Sequence, residues 1–525
     1  MRTRLSHLLA GAALVASVIP VLASDPPDDI GHFEIKRFEV AGNTLLSARA
    51  VEQAVAPFTG KDRNFGHVQM ALEALEAAYH RLGYNVVQVA LPEQELNQGV
   101  VRLQVVETKV GTVRVEGNQV FSEANIRNSL PGLVEGRTPN IGKVSASLRL
   151  ANENPAKKTA LQLQSGDNDE INATLKVSDE KPWKVAASLD NSGNKNTGES
   201  QLTMQYQHAN IADRDQVLSL QYTTTLEHPS KVGVYGMGYH VPLYALGDSV
   251  DLFASYSNVD SGSVLAGIVN LQVSGRGTVA GARYNQNLRR IGDYQPRIIY
   301  GVDHKAFNNS VLLQGAQLGN DVTVHPLSVA YAGNWSGADS AVNFSVTELR
   351  NIPGGTRGSS SDFNAARPGA DDNYAILRYA ADYSRVLPKD WQLHLSLAGQ
   401  YTNDILIPGE QFGAGGASTV RGFTERDASN DIGHTASAEV YTHDLCAGMS
   451  GGWAQCRLLA FYDTAQLRNN GPLPAKVSIG SAGLGLRLSA SKTMALQMDF
   501  GQVLDAGNTR SKGDRRLHVK LALSY

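Results

Sequence analysis

Few side chains in this 525-residue chain have types and spacings that bear on chemistry. Gly448-Met449-Ser450-Gly451-Gly452 matches the Gly-x-Ser-x-Gly pattern of serine hydrolases, whose nucleophile stands on a strand-to-helix elbow. Here it lies between Cys446 and Cys456 in a short strand-to-strand turn, which cannot supply that elbow. Gly247-Asp248-Ser249 has the look of another esterase motif but opens an alternating strand. There is no Gly-x-x-x-x-Gly-Lys-Ser/Thr loop, no His-Glu-x-x-His and no calcium loop, and the thirteen His are scattered. No catalysis, cofactor or metal is expected. Val420-Arg421-Gly422-Phe423 is different: it follows the flexible run Gly413 to Thr419 and carries a guanidinium, a fork of donors suited to a carboxylate. On its own, it reads as a surface loop with an exposed arginine.

The elements that position these residues begin with an export signal. Arg2 and Arg4 precede an apolar run from Leu8 to Leu22, and Val21-Leu22-Ala23 offers small residues for cleavage, so residues 1–23 are expected to be removed. The mature chain then enters an oxidising compartment, where Cys446 and Cys456 form either a disulfide across a short loop or a pair of buried thiols. Two cysteines are too few for a disulfide scaffold or a cysteine zinc site.

After a short segment, residues 24–32, a module appears twice. Phe38-Glu39-Val40-Ala41-Gly42-Asn43 leads to Ser47, and Val113-Arg114-Val115-Glu116-Gly117-Asn118 leads to Ser122, at a constant offset of 75. Gly-Asn suits a turn with positive φ, and each serine is placed to cap a helix. Val68, Leu72, Leu75, Tyr79 and Leu82 repeat at helical spacing, with Gly83 as the stop. Val86–Leu91 and Val100–Val106 read as strands. The second copy predicts a helix over Ile141–Leu150 and strands over Leu161–Leu163 and Ile171–Val177. Two small α+β domains are thus expected, at 33–107 and 108–178.

From about Lys181 the helical period gives way to strict alternation. Trp391, Leu393, Leu395 and Leu397 alternate with Gln392, His394, Ser396 and Ala398, and Leu517 to Tyr525 does the same at the C-terminus. Loops rich in Gly, Asn, Asp and Ser, such as Asp190–Ser200 and Gly354–Asp372, separate the runs. Only 18% of residues are charged, against about 25% on average, and the formal charge is −3, which lacks the signature of a nucleic-acid binder. An apolar outer wall around a wet interior requires this pattern, and lipid requires that the wall close on itself. A soluble sandwich would need a second sheet to cover the apolar face. At roughly 20–22 residues per strand and connection, residues 179–525 hold about 16 strands.

The whole mature chain resembles the two-partner secretion transporters, the hemolysin/hemagglutinin-type secretion proteins of the outer-membrane assembly superfamily. The paired modules resemble POTRA domains, and Gly83-Tyr84, Pro92, Gln94, Gly99 and Glu107 fit the first of them. The resemblance implies a transmembrane antiparallel β-barrel of about 16 strands. It also implies a long extracellular loop near 405–432 folded into the pore, with Val420, Arg421, Gly422 and Phe423 at its tip. A Phe-x-Asp pattern on a later strand, here Phe461-Tyr462-Asp463, would supply the carboxylate, so Arg421 is expected to pair with Asp463 and lock the hairpin to the wall. The family-typical glycine two residues on is Ala465 here. The same registration puts Cys446 and Cys456 at a periplasmic turn. Gly480, Gly483 and Gly485 fall on the next strand, where they either leave room for the hairpin or permit curvature.

By this resemblance the POTRA domains capture an unfolded partner exoprotein in the periplasm, the barrel secretes it across the outer membrane, and nucleic acid plays no part. Lipid and the barrel-assembly machinery are the other expected partners. A barrel-assembly factor of the same superfamily is the alternative, though such proteins usually carry more POTRA domains. Relatives often begin with a helix that threads the pore, whereas Ser24–His32 is too short to do so as a helix. Either that plug is absent here or another segment closes the channel.

Overall fold

The computed structural model describes residues 31–525 except positions 96, 168, 194–197, 231, 259–261, 267–268, 274–275, 309–311, 314–315, 318–320, 449–451, 472–474, 492 and 508–509. The expected export signal and residues 24–30 lie outside the described residues, as do Met449, Ser450 and Gly451 of the hydrolase-like pattern.

The first unit ends at Thr108. Its strands are β1 (Phe33–Ile35), β2 (Arg37–Ala41), β3 (Gly60–Arg63), β4 (Val87–Ala90) and β5 (Val100–Glu107), with helices α1 (Ala48–Val55) and α2 (Phe65–Arg81). β5 is central, parallel to β2 and antiparallel to β4, while β1 pairs with β3 in a separate ribbon. Ser47 caps α1 by accepting the Ala50 N–H, and Asn64 caps α2. The apolar stripe of α2 buries Leu75 and Tyr79 against Val87, Leu103 and Val105. Gly42 sits at φ +82°, and a Cβ there would lie 2.3 Å from the Val105 carbonyl oxygen. Glu107 accepts the Thr44 and Leu45 amides at 2.7 and 3.0 Å and so closes the turn after it. Burial, followed by the Glu107 charge, raises the pKa of the Tyr79 hydroxyl, which donates to Asn43.

The second unit opens with β6 (Lys109–Glu116), α3 (Glu123–Asn128), α4 (Ile141–Ala151), β7 (Lys157–Ser165) and β8 (Glu170–Asp179). β8 is central, parallel to β6 and antiparallel to β7. The repeat extends to its details. Gly117 has φ +86° and a Cβ there would lie 2.5 Å from the Val177 oxygen; Ser122 accepts the Asn125 N–H; Asp179 accepts the amides of Gln119, Val120 and Phe121. Burial would raise the Asp179 pKa, but these amides outweigh it and hold the carboxyl below its usual range.

Four residues after β8, the strand Trp183–Asp190 begins a closed antiparallel barrel. Among the described residues it has sixteen strand positions, because Val322–Val324 and Pro326–Ser336 both pair with Tyr294–Phe307 as one interrupted strand. The last strand, Arg515–Ser524, pairs with Trp183–Asp190 over five residue pairs, and Tyr525 exchanges backbone hydrogen bonds with Val185. Alternation sorts the faces. In Ala454–Arg468, Leu458 and Tyr462 point outward, whereas Leu459, Phe461, Asp463, Ala465 and Leu467 are buried. The interior is therefore not uniformly wet: Ala465, Leu467, Ile479 and Val503 form an apolar patch on the inner wall.

The turns at one barrel end meet the second domain. Lys157 Nζ lies 2.6 Å from Asp215 in the turn after Gln201–Ile211, with both side chains almost fully buried, and Tyr244 of the next such turn donates to the same carboxylate. Ser147 of α4 donates to the Tyr244 carbonyl, and Asn154 donates to that of Ala209. Burial lowers the Lys157 pKa against the pull of Asp215. The segment 354–372, expected as loop, contains a helix at the opposite end, α5 (Ser360–Ala366), started by a Ser359/Asp362 capping box.

Candidate functional site: the hairpin inside the barrel

The connection between Gln392–Tyr401 and Ile432–Tyr441 starts at the end away from the β6–β8 domain and folds into the lumen as a hairpin. Its limbs, Phe412–Ala414 and Ala428–Asn430, pair antiparallel. Gly415 and Gly416, at φ +111° and +100°, turn the chain at the tip, and Thr419 both accepts from and donates to the Gly415 backbone.

Val420 and Phe423 are fully buried against the wall patch of Ala465, Leu467, Ile479 and Val503. Ala465, which stands where the resemblance leads one to expect glycine, thus packs beside the hairpin. Between those two side chains, Arg421 turns the other way. It donates from Nε and Nη2 to the two oxygens of Asp463, both at 2.7 Å, and its backbone N–H donates to Asp463 at 3.0 Å. Ser437 donates to Asp463 at 2.6 Å, and Nη1 lies 2.6 Å from Glu439 and 3.5 Å from Asp499. The guanidinium carbon stands 3.6 Å from the Phe461 ring centroid. Phe461 and Asp463 face inward, two apart on one strand, whereas Tyr462 between them is half exposed on the outer face. A buried guanidinium without carboxylates would cost several kcal/mol, so the pocket and the arginine require each other.

Gly422, at φ +96°, donates its N–H to His518 Nε2 at 3.0 Å. Among the wall glycines, the one touching the tip is Gly501, where a Cβ would lie 2.9 Å from the Gly422 nitrogen. Gly480, Gly483 and Gly485 serve otherwise. Gly483 makes room for the Phe461 ring and Gly485 for Asp499, while Gly480 has only ordinary contacts. Glu439, Ser437, Asp499, His518 and Gly501 are members of the site that no sequence pattern singled out. Their one signal is inward register on alternating strands, which they share with every other lumen residue.

Cys446 and Cys456 are joined by a disulfide, and Asp444 accepts the N–H groups of both. Their turn lies at the barrel end that meets β7 and α4. Asp248 and Ser249 of the second esterase-like pattern bond to Tyr284 and Asn285 in the wall, not to a base.

Residues 169–488 match the haemolysin secretion/activation protein family ShlB/FhaC/HecB, and residues 33–108 match the ShlB-type POTRA domain. The chain is 21% identical over 462 residues to the heme/hemopexin transporter protein HuxB of Haemophilus influenzae, covering 85% of this chain and 79% of that protein. It is 26% identical over 443 residues to the outer membrane transporter CdiB of Escherichia coli, covering 80% and 72% respectively. The solved structure of CdiB from Escherichia coli superposes with a TM-score of 0.74 at 21% identity, covering 97% of this chain and 93% of that one. The chain belongs to the haemolysin secretion/activation protein family ShlB/FhaC/HecB, the outer-membrane transporters of two-partner secretion.

Proposed function

We propose that this transporter receives an unfolded exoprotein at its POTRA domains in the periplasm and passes it through the barrel, with the Arg421 hairpin as the lock on the lumen. The chain performs no catalysis of its own; it provides binding edges and a gated path. An extended client can add to a sheet edge through main-chain hydrogen bonds, with little demand on sequence. β2, β4, β6 and β7 are the outer strands of the two three-stranded sheets, so Leu161–Leu163 in β7 is such an edge, whereas Val100–Val106, a candidate edge from the sequence, lies in the central β5 and offers none. The barrel lies in lipid, having been inserted by the assembly machinery, and Cys446–Cys456 staples a periplasmic turn.

The observation that carries the lock is the buried fork of Arg421 on Asp463, flanked by Glu439 and backed by Phe461. A polypeptide can cross only if this hairpin shifts, and removing one partner of a buried pair costs about 3–5 kcal/mol. Arg421→Ala leaves the hairpin without a defined seat in the lumen to shift from and return to, and is expected to give a folded, inserted barrel whose export of the partner falls by an order of magnitude or more. Co-expression with the partner, scored for release into the medium, measures this. Undiminished export would refute the lock.

A further inference from the structure

The segment 352–374 joins two barrel strands at the mouth opposite the second POTRA domain and contains α5, whose Phe363 is fully buried in an apolar cluster with Tyr374, Val322 and Val324. Leu406 and Ile407 complete that cluster, and they belong to the inbound limb of the Arg421 connection. That segment, the cap, is thus packed on the base of the hairpin as well as on the wall.

A charge pair fastens the two. Asp431, at the end of the return limb, is fully buried and accepts both terminal nitrogens of Arg367, which follows α5; one of these contacts is 2.9 Å. Arg367 also donates to the Leu406 carbonyl at 2.6 Å. Asp431 further accepts the amides of Leu406 and Asn470 at 3.2 and 2.8 Å, and the Gln411 side chain at 3.2 Å. One carboxylate therefore gathers both limbs of the hairpin connection, the neighbouring wall loop and the cap. Among the described residues, Arg367 is the cation paired with it. Nearby, the fully buried Glu410 is held by Lys305 at 2.7 Å and Arg378 at 3.0 Å, so the base has its own anchor when the cap lifts.

We infer that Arg367 and Asp431 form a latch that holds an outer cap, residues 352–374, shut on the base of the Arg421 hairpin. The channel then has two closures in series, one at mid-wall and one at the cell-surface mouth. A buried carboxylate deprived of its cation is strongly destabilised, so loss of Arg367 loosens the cap while the Arg421 pair stays intact. The inference rests on the reading that the hairpin lies in the client's path, and its test is independent of export.

The test uses Leu406→Cys in the full chain, labelled on whole cells with a membrane-impermeant maleimide in the absence of partner protein. Leu406 is fully buried beneath the cap, so labelling of the otherwise unaltered chain is expected to be slow. Adding Arg367→Ala should raise the rate at least about tenfold. Arg367→Lys, which keeps the charge but loses the fork, should fall between. Heat-modifiable gel mobility checks that the barrel has folded, and Asp431→Asn gives the same readout should Arg367→Ala fail to fold. Equal rates in folded proteins with and without the latch, or fast labelling before the latch is removed, would overturn the inference. Failure of the lock reading appears elsewhere, as normal export by Arg421→Ala.

Discussion

At the scale of single residues, the site is a buried charge balance. Arg421 meets Asp463 and Glu439 closely and Asp499 at longer range, while Arg487 lies 2.9 Å from Asp499. Space matters as much as charge. The tip backbone runs against Gly501, and a side chain there would strike backbone atoms of Arg421 and Gly422, which cannot swing away. Gly501→Val is expected to unseat the tip in a normally inserted barrel and, combined with Arg367→Ala to release the cap, to raise resting conductance in planar bilayers above that of Arg367→Ala alone; equal conductance would show that the wall yields instead. Arg421 and Asp463 could be named from the sequence because each lies in a short pattern that a known family shares. Glu439, Ser437, Asp499 and His518 could not, because a polar side chain facing a lumen is ordinary on any alternating strand. Arg367 and Asp431 were hidden for a further reason. They lie 64 positions apart in two loops, and only the folded mouth brings them together.

At the scale of elements, local rules carried the reading furthest where caps and glycines punctuate the chain. The repeated Gly-Asn and serine caps place the turn and first helix of both POTRA modules, and the structure adds the reason for the glycines: a carbonyl oxygen less than 3 Å from where a Cβ would stand. β1 and β3 were not legible, being three and four residues long. Nor was α5, whose seven residues are too few to display a helical period and whose Ser-rich start reads as loop. Asp179 lends the second module a dependence on pH. Its folded-state pKa lies below the unfolded value of about 3.9, so its stabilisation is present above that pH and is lost as pH falls through the folded value. Asp179→Asn is accordingly expected to melt lower than the parent protein at neutral pH, with the difference closing in acid. Thermal scans in detergent across that range would show it, and a pH-independent gap would count against it.

At the scale of the whole molecule, alternation from Lys181 to Tyr525 was enough to imply a wall closed on itself, since hydrocarbon satisfies no unpaired backbone group. The pairing of Arg515–Ser524 with Trp183–Asp190, and the apolar ground under the hairpin, are tertiary facts with no local signature. The two faces of the wall predict opposite tolerances. Leu484 is two-thirds exposed on the outer face, and Leu484→Arg should cost about 2–4 kcal/mol if it sits near the bilayer midplane, reducing insertion. Gln205→Arg, on the polar inner face beside Gln221, should insert normally. Outer-membrane yield and heat-modifiable mobility compare them, and equal tolerance would contradict a lipid-facing exterior.

The joint of Lys157, Asp215 and Tyr244 has a mechanical meaning. β8 runs almost directly into the first barrel strand, and this bolt pins β7 of the same sheet to the adjoining turns, so the second POTRA domain is no free swivel. A pull on that sheet is therefore delivered to the rim of the cylinder itself. The second domain is thus a fixed fulcrum on the barrel rather than a hinged arm.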